Sequence, residues 1–142
     1  MSVYVSKSLR LKIAKQSRFR CGYCLSTEVL TGIACEVDHL LPVSDGGLTV
    51  EDNLWLICGP CNKHKSGRTS APDPISKKWE RLFNPRHDEW TEHFVWQAEG
   101  LLIFGLTAIG RATIAALQMN RELLVNARRR WIKSGWHPPK DS

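Results

Sequence analysis

The chain has 142 residues, 42% of them hydrophobic and 24% charged, which fits one compact domain with a packed extension and excludes a disordered or membrane composition. The longest strongly apolar run, LLIFGL at 101–106, is far too short to span a bilayer. Charges run through the would-be apolar part of the N-terminal stretch, so no signal peptide and no membrane partner are expected, and the expected location is cytoplasmic.

The net charge of +6 is unevenly placed. Lys7, Arg10, Lys12, Lys15, Arg18 and Arg20 fall in the first twenty residues with no acid among them, and Arg128, Arg129, Arg130 and Lys133 crowd near the C-terminus. Between them Glu36, Asp38, Asp45, Glu51 and Asp52 occupy a stretch free of Lys and Arg. An acidic island between basic arms suits a cation site inside a surface that attracts a polyanion, although basic helices with solvated faces would give the same count.

In chain order, residues 6–18 read as a helix with Leu9, Ile13 and Ala14 on one face and Ser6 or Ser8 as its cap. CGYC at 21–24 is a tight turn. IACEVDHLLPV at 33–43 reads as a strand ended near Pro42, and SDGGLTVEDN as a loop in which Gly46 and Gly47 allow backbone angles that other residues resist. LWLIC is a second short strand, and GPCNKHKSG a helix with Gly59-Pro60 at its start and Gly67 near its end. RTSAPDPISKK at 68–78 is a polar connector. KWERLF reads as a short helix with Trp79, Leu82 and Phe83 inward, and residues 93–107 as a hairpin turning near Glu99-Gly100. Thr107 is placed to cap a helix from 108 to about 119. Asn120 is placed to cap another, to 134, with Leu123, Leu124, Ala127 and Trp131 on its core face. The organisation expected is a first domain over 1–70 and a C-terminal extension over 71–142, a β-hairpin and two helices. His87, His93 and His137 read as structural.

The cysteines carry the strongest signal. Cys21-x-x-Cys24 and Cys58-x-x-Cys61 form two pairs of identical spacing, and two such turns complete a tetrahedron around zinc. A redox site needs one such pair, leaving the second unexplained, and disulfides do not suit a cytosolic chain. Four thiolates make a closed, structural site, and it encloses the whole strand–loop–strand stretch. Cys35, left over, reads as a small buried strand residue.

Inside that staple lie Asp38, His39, Asn53, Asn62 and His64. Asp38 offers an oxygen to a hard cation, and His39 follows it on an extended backbone, which sends the two side chains to opposite sides. Taken singly, each of these residues is more often a strand end, a turn residue or a surface histidine than part of a site. Taken together, CGYC … EVDHLLPVSDGG … DNLWLICGPCNKHKSG resembles the HNH nuclease family, in its zinc-stapled branch with two CxxC turns, over about residues 21–67. The C-terminal half is similar to stand-alone bacterial HNH proteins.

The resemblance implies an α+β fold with a ββα-metal core (two strands, the loop between them, then a helix) stapled by a structural zinc on the four paired cysteines, with a C-terminal hairpin-plus-helices extension. It implies His39 as general base, Asn53 as the residue that braces the loop and orients it, and Asp38 and Asn62 as ligands of a catalytic divalent metal. Mg²⁺ or Mn²⁺ comes first for an open oxygen shell, with Ni²⁺, Co²⁺ or Zn²⁺ behind. The expected activity is endonucleolytic hydrolysis of DNA leaving a 5′-phosphate and a 3′-hydroxyl. Lys63, Lys65 and Arg68, with Arg18 and Arg20, are the expected phosphate contacts. His64 reads as a surface histidine or phosphate contact ahead of a third ligand, since a helix turns it away from Asn62. The rival readings are a non-catalytic zinc-stapled DNA-binding module and an RNA-cleaving HNH protein. DNA ranks ahead of RNA as partner, and a second copy of the chain is a further candidate.

Overall fold

In the computed structural model, which describes residues 4–142, helix α1 (Lys7–Gln16) starts where Ser6, in an extended conformation, accepts a hydrogen bond from the Leu9 amide at 3.2 Å. That capping satisfies one of the amides a helix start leaves orphaned. The structure divides into two compact units, one reaching to Thr69 and including Asn84–Arg86, the other made of Ser70–Phe83 and His87–Ser142.

In the first unit, Ile13 and Ala14 of α1 pack on Cys35, Leu54 and Leu56, with Leu9 and Val37 at the margin. A short helix with no counterpart in the sequence reading, α2 (Glu28–Thr31), is capped by Thr27 and ended by Gly32 at φ 71°. The expected strand 33–43 contracts to β1 (Glu36–His39), because beyond it the chain bends into a 3₁₀ turn at Val43–Asp45. β1 pairs antiparallel with β2 (Leu54–Ile57), with Val37 opposite Leu56 and Asp38 opposite Trp55. Side chains alternate along a strand, so Val37 turns to the α1 core while Glu36 and Asp38 share the other face. Helix α3 (Gly59–Lys65) lies against β1 on that second face, and Pro60 sits in its first turn, where its missing N–H is not needed.

The second unit departs from expectation at its start. The supposed connector and short helix form a hairpin, β3 (Ser70–Pro72) paired with β4 (Trp79–Arg81). Asp73 organises its turn: the carboxylate accepts from the Ile75 and Ser76 amides at 3.1 and 3.2 Å, and the Asp73 amide donates to Lys78 O at 2.8 Å. Arg111 then grips the same carboxylate with two hydrogen bonds of 2.9 Å. As a strand residue Trp79 points outward, 68% exposed, while Leu82 and Phe83 are buried as expected.

The second hairpin, β5 (Phe94–Gln97) with β6 (Leu102–Gly105), follows α4 (Trp90–His93) and turns through Ala98–Gly100. Thr107 caps α5 (Ala108–Leu117) by accepting from the Gly110 amide. Asn120 does not cap α6 (Glu122–Lys133); its amide clamps β6 instead, bonding both Ile103 N and Ile103 O at 2.8 Å. The buried face of α6 is Leu124, Arg128 and Trp131, and Leu123, expected inside, is 82% exposed. Arg128 is fully buried because it has carbonyls to satisfy: Met119 O at 2.7 Å and Leu101 O at 3.2 Å, together with Asn120 Oδ1 at 3.1 Å. It therefore leaves the tally of surface charge. His137 donates to Gly100 O at 2.9 Å, and His93 meets Thr107 Oγ1 at 2.6 Å, so both hold the fold. Among the described residues no helix is long and apolar enough to cross a membrane.

The Arg111 guanidinium holds the Asp73 carboxyl well below the usual carboxylate range. A folded value below the unfolded one of about 3.9 contributes stability that is full above that pH and is lost as pH falls through the folded value. Urea unfolding of Asp73→Asn should therefore show a lower midpoint than wild type by a constant margin between pH 7 and 5. That margin should narrow as the pH drops below about 4.

Candidate active site and zinc centre

The first CxxC turn is tied to the strands through its backbone. Cys21 N donates to Ser26 O, and Gly22 N donates to Leu56 O at 2.9 Å. A β-carbon on Gly22 would stand 2.3 Å from the Trp55 ring, so only glycine lets the turn close on β2. The second pair straddles the start of α3, with Cys58 at the cap position and Cys61 in the first turn.

The four sulfurs lie within 4.8 Å of one another, with Cys24 and Cys58 Sγ 3.7 Å apart. A tetrahedron with Zn–S arms of about 2.3 Å has edges of about 3.8 Å, so the spacing is that of a zinc site and not of disulfides; all five cysteines are free thiols. Burial, first, pushes Cys21 well up, while hydrogen bonds, first from Cys21, hold Cys24 well below the usual thiol value. Cys35 stands outside the cluster in the α1 core, where burial pushes its thiol up to about 12.

His39 closes β1, and its Nε2 lies 2.9 Å from Thr49 Oγ1. From the sequence this ring needs a partner to fix it, and no residue there stands out for the task. A loop threonine carries no periodic signal, and only the closing of the loop after Gly46-Gly47 brings it to the histidine. Asn53 holds that loop shut: its Oδ1 accepts from Leu41 N at 2.8 Å, and its Nδ2 donates to Leu41 O and Leu48 O at 3.0 and 2.9 Å. The two glycines serve different needs. Gly46 has φ 91°, and a β-carbon on Gly47 would stand 1.8 Å from Leu41 O.

On the opposite face of β1, Asp38 is buried and meets Lys65 Nζ at 3.0 Å. Burial pushes the Asp38 carboxyl above its ordinary value, and the Lys65 ammonium opposes the shift. Lys65, expected on the surface among the phosphate contacts, thus points inward. The phase of α3 explains this: Cys61 is anchored inside, and Asn62 and Lys65, three apart, share the flank that meets β1. Asn62 Nδ2 donates to Glu36 Oε1 at 2.7 Å. Glu36 was not among the expected site residues, although strand alternation places it on the Asp38 face. His64, two residues after Asn62, sits about 200° further round the helix. Lys63, Arg18 and Arg68 are exposed, and Arg20 is half-buried. Arg68 folds back on α3, donating to Lys65 O and His64 O at 3.2 and 2.7 Å.

The cysteine quartet is, among the described residues, the sole cluster of three or more cysteine, histidine or acidic ligands. Asp38 and Glu36 lie on the face of β1 that meets α3, Asp38 against the Lys65 ammonium and Glu36 against the Asn62 amide.

Residues 21–68 match the family model described as HNH endonuclease. The chain is similar to the Septu protein PtuB of Bacillus mycoides (strain KBAB4), 29% identical over 126 residues that cover 71% of this chain and 42% of that protein. It thus spans less than half the length of that relative. No solved structure matches it.

The zinc assignment has a direct measurement. Purified protein should carry one zinc per chain by elemental analysis. Cys24→Ser should lose that zinc together with β1–β2 amide protection in hydrogen exchange, whereas Cys35→Ser should keep both.

Proposed function

We propose, from the match of residues 21–68 to the HNH endonuclease family, that the protein is a metal-dependent endonuclease hydrolysing DNA phosphodiester bonds to 5′-phosphate and 3′-hydroxyl ends. The observation that carries this reading is the hold on His39. In the tautomer that donates Nε2–H to Thr49 Oγ1, Nδ1 keeps its lone pair and can take a proton from the attacking water. Asn53 contributes by keeping the loop, and with it Thr49, in place.

Asp38 and Asn62 are the residues that would hold the catalytic divalent metal, Mg²⁺ or Mn²⁺ ahead of Ni²⁺, Co²⁺ or Zn²⁺. When bound, such an ion neutralises charge developing on the phosphate and the leaving oxygen. Glu36, by accepting from Asn62 Nδ2, orients the amide so that Oδ1 is left as the donor toward an ion. Lys63, Arg18, Arg20 and Arg68 are the side chains that would meet the DNA backbone, a contact that positions the duplex and carries no sequence information.

The test is cleavage of supercoiled plasmid by zinc-loaded protein with Mg²⁺, Mn²⁺ or Ni²⁺, alongside single-stranded DNA and RNA. Nicks resealable by a DNA ligase are expected. His39→Ala should slow nicking by about 10²-fold or more, and Thr49→Val by a smaller factor of about ten. No cleavage of any substrate with any of the metals, or equal nicking by His39→Ala, would overturn the reading. Cleavage confined to RNA would replace DNA as the substrate.

A further inference from the structure

Among the described residues two buried acids have a basic partner, and the two pairs are built differently. Asp73 receives both of its Arg111 hydrogen bonds at 2.9 Å and two backbone amides besides, so every part of the pair is directional. Asp38 and Lys65 approach to 3.0 Å with side chains 10% and 3% exposed. Yet among the described residues neither Asp38 Oδ2 nor Lys65 Nζ has a hydrogen-bond partner of good geometry. An ammonium carries three N–H donors, and burying it without aligned acceptors is costly. What holds it there is its one contact with Asp38.

The surroundings show what else would satisfy that carboxylate. Glu36 and Asp38 share one face of β1, and Asn62 reaches Glu36 from α3 at 2.7 Å. Two carboxylates thus stand on the face that meets α3, and the ammonium sits on the buried one. Without the ammonium Asp38 is a buried carboxylate whose oxygens suit a hard divalent cation, with Glu36 and Asn62 as its neighbours on the same face. Lys65 is the last residue of α3, whose start is fixed by Cys58 and Cys61, and its stem has four flexible carbons. The ammonium can therefore leave Asp38 while the helix stays where it is.

We infer that Lys65 is an internal counter-ion occupying the cation position at Asp38, so that a divalent metal binds there by displacing it. This rests on the reading of Asp38 and Asn62 as metal ligands and adds the residue that sets how tightly they bind. Lys65 keeps the metal-free cleft neutral enough to stay closed, and it weakens metal binding by the cost of breaking its own ion pair.

Mn²⁺ binding to the zinc-loaded full chain, followed by calorimetry and by the Mn²⁺ paramagnetic resonance signal, tests this without reference to cleavage. Lys65→Met should bind Mn²⁺ at least about ten-fold more tightly than wild type, since nothing has to be displaced. Lys65→Arg should bind no more tightly than wild type, and Asp38→Asn should lose the site. In the wild type, Lys65 should be the lysine slowest to react with an amine-acylating ester, and saturating Mn²⁺ should speed its modification as read by mass spectrometry. That second measurement stands whether or not Lys65→Met folds.

Equal affinities in wild type and folded Lys65→Met, or a Lys65 acylation rate indifferent to Mn²⁺, would overturn the inference. If Asp38→Asn still lost the site, the metal-dependent nuclease would survive that result. If Asp38→Asn bound Mn²⁺ as wild type does, the ligand assignment and the displacement would fall together.

Discussion

The junction of strand and helix in the first unit hangs on four sulfur atoms. The CGYC turn is hydrogen-bonded to β2, and Cys58 and Cys61 bracket the first turn of α3, so gathering the four within 4.8 Å fixes where that helix starts and which way it faces. A seven-residue helix has little stability of its own, since a few hydrogen bonds do not repay its nucleation. Its phase is set from outside. Once Cys61 is anchored, Asn62 and Lys65 must lie toward β1, and the chemistry of the cleft between strand and helix follows from that one tether. A small apolar core of Ile13, Ala14, Cys35, Leu54 and Leu56 supports the other face of the strands.

The loop between β1 and β2 is governed by a different device. Asn53 uses its amide to join Leu41 and Leu48, which lie at opposite ends of the turn, and the close approach of Gly47 to Leu41 O leaves no room for a side chain. These contacts are short and polar, with no apolar packing to replace them, so the loop is rigid for a local reason. Its rigidity is what lets Thr49 act on His39. The two faces of β1 thus receive separate support, the cysteine quartet and α3 for Asp38, the clamped loop for His39. Adjacent residues on one strand are placed independently because strand geometry sends them apart.

The parts legible in the sequence are those written in local signals. Paired cysteines at fixed spacing, short apolar runs, Gly-Gly, Gly-Pro and a serine or threonine before a helix specify the α+β class, the strand–loop–strand–helix order and the caps at Ser6 and Thr107. What escaped was set at a distance. The β3–β4 hairpin depends on Asp73 meeting an arginine 38 residues further on, and polar, proline-containing sequence gives no hint of it. Thr49 has no pattern of its own. Glu36 and Lys65 were within reach, by counting two back along the strand from Asp38 and four on along the helix from Cys61.

The same distinction corrects the reading of charge. A sum of +6 treats every lysine and arginine as surface, and two of the most conspicuous are not. Arg128, in the densest basic run, lies inside the second unit with its guanidinium on main-chain carbonyls and above the Trp96 ring. Lys65, in the basic helix of the motif, lies inside the first on Asp38. Each is a cation taken out of water, and a cation taken out of water needs either aligned acceptors or an opposite charge. Arg128 has acceptors for both terminal nitrogens, so it belongs to the fold. Lys65 has one carboxylate, and a cation held by a single contact is open to exchange for another. The chain's basic character is therefore divided among three functions: a surface that can meet a polyanion, an arginine that closes a core, and a lysine that guards a carboxylate.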